Sequence, residues 1–170
     1  PNITTKGFGS NINLRNIIHV HGQLGESIII GVDHPAQMKN EAFRNNEDIK
    51  DIMIKIESNE SMKETRHIDC ERLIANAEVI ILFGVSLGET DARWWKLIGQ
   101  HLKRRRNLAI IQHLYNPGAV NPTQRQKIRQ LERKQQEYLL QRMEVKMEIG
   151  DVDIRDRLFF TVNEPIFKIL

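Results

Sequence analysis

The stretch Glu78-Val79-Ile80-Ile81-Leu82-Phe83-Gly84-Val85-Ser86-Leu87-Gly88-Glu89-Thr90-Asp91 decides how this chain folds. Val79 to Phe83 are apolar without alternation, which is how a strand reads when helices cover both faces of a parallel sheet. Gly84 then turns the chain. Ser86 with Glu89 three residues on has the spacing of a capping box, in which two side chains satisfy backbone N–H groups that a helix start leaves unpaired. A helix is predicted from Leu87 or Asp91 to Arg105, with Trp94, Leu97, Ile98 and Leu102 on its apolar face and Arg93, Lys96, Gln100 and Lys103 elsewhere. A broader buried face would take in Trp95 as well. Leu108 to Leu114 is the next apolar run, so residues 78–114 read as strand, helix, strand, with the strands parallel and the crossover right-handed. The fold class is therefore α/β, Rossmann-like and three-layered, with a mostly parallel central sheet.

Upstream, Asn16 to His21 and Ser27 to Val32 are β-branched runs separated by Gly22 and a short polar link, and they predict a β-hairpin. From Glu41 to Ile56, Phe43, Ile49, Ile52, Met53 and Ile56 recur at three- and four-residue steps, predicting one helix with a buried stripe. Ser58 to Glu64 reads as a loop, and Cys70 to Ala77 as a short helix. Downstream, Asn116-Pro117-Gly118 and Asn121-Pro122 are turns, Thr123 to Lys146 is the longest helix, and Arg157 to Val162 is a last strand closed by Asn163-Glu164-Pro165. Residues 1–15 are polar and without period, and are expected to be a flexible segment ahead of one domain over 16–170. With Pro1 in place of an initiator methionine, that domain is expected to be the C-terminal part of a larger one.

Composition narrows the classes. A chain of 170 residues, 40% hydrophobic, can bury a core of its own. It has no apolar run long enough to span a bilayer and no leader pattern at Pro1 to Gly9, so no membrane role is expected and a cytoplasmic address follows. Cys70 is the only cysteine, which excludes an intrachain disulfide and a thiolate-rich zinc site, and it reads as an ordinary thiol. The net charge of +3 is modest but unevenly placed, with four cations at Lys103-Arg104-Arg105-Arg106 and more along 123–146. Cations at a helix end complement its macrodipole. The alternative is a non-enzymatic module that meets a partner protein or nucleic acid through these basic helices; no exposed aromatics interleave them, so nucleic acid is not the favoured partner.

Two places carry the residues of chemistry. In open parallel sheets ligands gather outside the carboxyl ends of the strands, and Gly84, Ser86, Gly88, Glu89 and Asp91 lie there. The glycines allow close backbone approach, and the Ser86 hydroxyl can bond a sugar or phosphate. Glu89 and Asp91 repel phosphate and suit a ribose hydroxyl better. The plainer alternative is that Ser86 and Glu89 only cap the helix. The second place is His19-Val20-His21-Gly22. Histidine is the side chain that titrates nearest neutrality, so His21 is an acid/base candidate, and Gly22 leaves room beside it. Metal ligation would need further donors, for which only Asp33 and His34 are near, and no metal is expected.

Ile18-His19-Val20-His21-Gly22, then Ile28 to Asp33, then Phe83 to Asp91 with Trp94-Trp95, taken in that order and spacing, resemble the abortive-infection AbiH family over residues 16–114. That family is in turn similar to sirtuin-like domains of phage-defence effectors, which are Rossmann-like and hydrolyse NAD. The resemblance implies a phage-defence protein with His21 catalytic and Gly22, Gly84, Ser86, Glu89 and Asp91 lining a site for a nucleotide, NAD being substrate or ligand. The glycine-rich loop and asparagine motif that such domains carry ahead of the His-Gly strand are missing, since Asn2, Asn11 and Asn13 sit in no such motif. The chain is thus expected to hold half of the cofactor site, and the partners expected besides a nucleotide are an upstream chain segment or further copies of itself in a homo-oligomer.

Overall fold

The computed structural model describes residues 17–115, 125–148 and 152–163. The expected flexible segment 1–15 and the turns at 116–118 and 121–122 lie outside them. The elements are α1 (Glu41–Arg44), α2 (Glu47–Met53), α3 (Lys55–Ser61), α4 (Arg66–Asn76), β1 (Val79–Leu82), α5 (Ala92–Arg104), β2 (Ala109–Leu114), α6 (Arg125–Arg142), α7 (Val152–Asp156) and β3 (Leu158–Val162). The strands form a parallel sheet in the order β1-β2-β3, with Ile80 opposite Ile110 and Ile110 opposite Leu158. Mixed α/β with a parallel sheet is thus the observed class. Parallel pairing follows because each strand is reached through helix, as the 78–114 unit requires.

The core lies on one face of this sheet. Leu82, Ile110 and Leu158 meet Trp95, Ile98 and Leu102 of α5, Leu139 and Leu140 of α6, and Ile154 of α7. Val79, Ile81 and Phe159 point to the other face and stay half exposed, so among the described residues β1 is covered on one face and not on both as its apolar run predicts. On α5 the buried positions are Trp95, Ile98, Gly99 and Leu102. The helix is rotated by one residue from the stripe read through Trp94. The cause is that the Trp95 indole N–H donates to Gly88 O at 3.0 Å, while Trp94 stays near the surface under the Arg93 guanidinium.

Three expectations upstream fail. The Asn16–Val32 hairpin does not form among the described residues: the segment closes on itself through Ile29 N–H to His21 O at 2.8 Å, and only Ile29 turns inward while Ile28 and Ile30 face solvent. The single helix over 41–56 is three pieces. Asn40 and Asn46 cap α1 and α2 with their side chains, and Ile54 leaves the helix for an extended conformation because it pairs with Val32. Phe43, Ile52, Met53 and Ile56 are left at least partly exposed. The expected loop at 58–64 is mostly α3. The last two elements match more closely, α6 and β3 falling within the predicted helix and strand.

Candidate functional site

The corner where α5 begins gathers side chains from four separate segments. Pairing of Ile54 with Val32 stops α2 and delivers Lys55, the first residue of α3, to the interior, where it is 9% exposed. Its ammonium donates to Asp91 Oδ1 at 2.6 Å and to Thr90 O at 2.5 Å, and stands 3.8 Å from Asp33 Oδ1. A lysine this deep is tolerable only with such partners. The other Asp33 oxygen accepts from the Arg93 backbone N–H at 2.8 Å. Gln37 ties the same corner, accepting from the Asp33 and His34 N–H groups and donating to Glu89 O at 2.7 Å.

Asp33 therefore does what Ser86 and Glu89 were expected to do. It satisfies an otherwise unpaired N–H in the first turn of α5, from 60 residues upstream. The Ser86–Glu89 capping box is absent: neither the short 3-10 turn at Glu89–Asp91 nor α5 receives a side-chain cap from its own N-cap residue. Ser86 is exposed, and the Glu89 carboxylate faces outward, 3.6 Å from Arg142.

His21 enters this corner from the irregular loop. Its Nε2 lies 3.2 Å from Asp91 Oδ1, the same oxygen that Lys55 holds, and in the Nε2–H tautomer the ring donates to it. Gly22 places it there. At φ +82° its N–H donates to His19 O at 2.8 Å, and a Cβ would fall 1.9 Å from Ser27 O, so the loop cannot close over any side chain at this position. Of the predicted residues, then, His21, Gly22 and Asp91 are brought together. A carboxylate that holds an imidazole in one orientation and supports its cation is the usual apparatus of acid/base work.

Gly84 lies elsewhere. It sits at φ +66° on the lip of a cleft of about 510 Å³ at the carboxyl ends of β1 and β2, with Gln112, His113 and Gln135 in its wall. A second cleft, of about 530 Å³, adjoins the charged corner and is lined by Asp33, His34, Glu71, Arg93 and Lys96. The loop 83–91 joins the two, with Gly84 at one end and Asp91 at the other. Leu87 pins it midway: it is 1% exposed and held at φ +51°, a left-handed conformation that a leucine keeps only when its surroundings fix it.

Lys55, Asp33 and Gln37 were not singled out by sequence for these roles; the short chain distance between Asp33 and the His-Gly loop is the only signal that pointed to one of them. Among the described residues no group of three or more His, Cys, Asp or Glu side chains is arranged to hold a metal ion. Burial, and after it the carboxylates of Asp69 and Glu71, push the Cys70 thiol up, which favours its neutral form. The basic run is partly structural: Arg105 donates to Ala75 O and Ala77 O, closing the end of α4.

A family model described as bacteriophage abortive infection AbiH matches residues 6–113. That span includes the His21 loop, the Lys55 corner, the 83–91 loop and nearly all of β2, well over half of the chain. The chain belongs to the AbiH family. Comparison with curated proteins and with solved structures gave no match. Membership assigns this AbiH chain to phage defence by abortive infection, and every residue of the His21–Asp91–Lys55–Asp33 corner falls inside the matched region. Among its described residues no helix is long and apolar enough to cross a membrane.

Proposed function

We propose that this AbiH protein defends the cell by binding NAD and hydrolysing its nicotinamide glycosidic bond, with His21 as the acid/base group. The observation that carries the reading is the 3.2 Å contact between His21 and Asp91, which unites the two motifs that sequence singled out from 70 residues apart. In the reaction the bond between the ribose C1′ and the nicotinamide nitrogen breaks, and water supplies the new C1′–O bond. Nicotinamide leaves as a neutral base, because its nitrogen is already cationic in the substrate. His21 takes the proton that water loses, and Asp91 steadies the resulting imidazolium. Lys55, anchored on Asp91 and Thr90 O, keeps that carboxylate in place. The same reading takes the sheet as Rossmann-like, with Val79, Ile81 and Phe159 as the face on which its third layer packs. On this reading the chain holds part of the cofactor site, and a segment that carries the glycine-rich loop would complete it.

The test is nicotinamide release from NAD, measured by chromatography, with this chain and with a form extended upstream. Turnover is expected in at least one form, and His21→Ala should lower it by about a hundredfold or more. Absence of turnover in both forms, or turnover that survives His21→Ala, overturns the reading.

A further inference from the structure

The cleft at the carboxyl ends of β1 and β2 has a chemistry that the acid/base corner does not explain. Its volume of about 510 Å³ is in the range of small-molecule sites, and its position is where open parallel sheets bind ligands. None of its described lining residues is an Asp, Glu, Lys or Arg. Polarity there comes from amides and rings. Gln112 sits on the core-facing side of β2, in register with Leu82 and two residues from the fully buried Ile110, yet it is a glutamine, only 3% exposed. Its Oε1 accepts from Gln135 Nε2 of α6 at 3.2 Å, so two carboxamides are held together at the cleft wall. His113 is held too, with Nδ1 3.1 Å from Thr161 Oγ1 and its ring stacked on Phe83 at 5.2 Å between centroids. Tyr115 stands at the mouth, 80% exposed.

We propose that this cleft binds a neutral, planar heterocycle of the nucleobase class, its face against the aromatic residues and its edge on the Gln112–Gln135 amides. A carboxamide offers a donor and an acceptor side by side, the pattern that an adenine edge complements. Their mutual bond uses Gln112 Oε1 and Gln135 Nε2, so an aliphatic ligand would leave Gln112 Nε2 and Gln135 Oε1 unserved, and an anion would find no cation among the described lining residues. The assignment rests on the nucleotide reading for the rest of the ligand, since the base would be the part of the dinucleotide farthest from the bond that breaks beside His21. The loop 83–91 ties the two sites closely: its seven steps from Gly84 to Asp91 reach at most about 25 Å.

The experiment is calorimetric titration with adenosine, which has the base and sugar but neither phosphate nor nicotinamide. The unaltered chain should bind it, and Tyr115→Ala and Gln135→Leu should each weaken binding by about tenfold. His21→Ala should leave it unchanged. Tyr115 is so exposed that its replacement does not threaten folding. The proposal is overturned if adenosine does not bind, or if both cleft variants bind it as the unaltered chain does. Adenosine binding without NAD turnover would sink hydrolysis and leave the base site standing. Turnover that depends on His21 but ignores Tyr115 and Gln135 would do the reverse.

Discussion

The two large clefts of this molecule are nearly equal in volume, about 530 and 510 Å³, and opposite in electrical character. One is walled by Asp33, Glu71, Arg93 and Lys96, the other by amides, rings and aliphatic groups. In the first and the corner that adjoins it, much of the charge is committed inside the protein: Lys55 to Asp91 and Asp33, Arg93 to Glu71, and the second oxygen of Asp33 to the start of α5. In the second, the polar groups are fewer and are held in pairs without ionic partners. The difference separates stability from recognition. On the reading proposed above, the charged corner is a clamp that orients His21 and the neutral cleft receives the ligand.

Breaking the clamp should have the largest effect. Lys55→Met leaves Asp33 and Asp91 without a cation, and because Asp91 is about a third exposed, the loss is expected near 2 kcal/mol, below the full cost of an orphaned buried charge. Urea unfolding reads it, and Gln135→Leu, which takes one neutral partner from the Gln112 amide, should cost less, about 1 kcal/mol. Equal effects from the two variants would erase the distinction.

The paired glycines sharpen it. Alanine at Gly22 collides with Ser27 O at 1.9 Å in a left-handed backbone, whereas alanine at Gly84 meets nothing within 4 Å and carries only the strain of φ +66°. Gly84→Ala should cost about 1 kcal/mol, and Gly22→Ala at least about twice that, with His21 displaced, as read by thermal unfolding and the His21 ring resonances. Trp95→Phe removes the bond to Gly88 O that anchors the connecting loop, for about 1 kcal/mol.

The smallest effect belongs to Cys70, outside both clefts. Its raised titration means that the neutral thiol is favoured in the folded state, so its stabilising contribution is complete below the ordinary thiol range and is lost as pH rises through the raised value. Alkylation at neutral pH should be slower than for a free thiol and should accelerate on unfolding. Labelling at the same rate in both states would remove Cys70 from this account.

Local sequence carried the parallel unit, because the apolar runs at 79–83 and 108–114 with an amphipathic helix between them have few other ways to bury themselves. It singled out His21-Gly22 and Asp91 as two separate places, and only the family resemblance implied the single site at which they meet. What it could not carry depends on pairings distant in the chain. Ile54 abandons a helical pattern only because Val32 is beside it, and that bend alone turns Lys55 inward from what reads as a solvated helix face. The α5 start looked self-capped through Ser86 and Glu89, yet Asp33 reaches it first. Trp94 and Trp95 could not be ranked from periodicity, since one hydrogen bond to Gly88 sets the rotation of the helix. Gly84 and Asp91, close in sequence, were read as one pocket; Gly84 lines the neutral cleft, and Asp91 lies at the Lys55 corner.

Measuring His21→Ala in parallel for nicotinamide release from NAD and for adenosine binding tests the division of labour most directly. The account predicts that release falls by about a hundredfold or more while adenosine binds as before. Release that persists in the variant, or adenosine binding lost together with it, would contradict the assignment of chemistry to the charged corner and recognition to the neutral cleft.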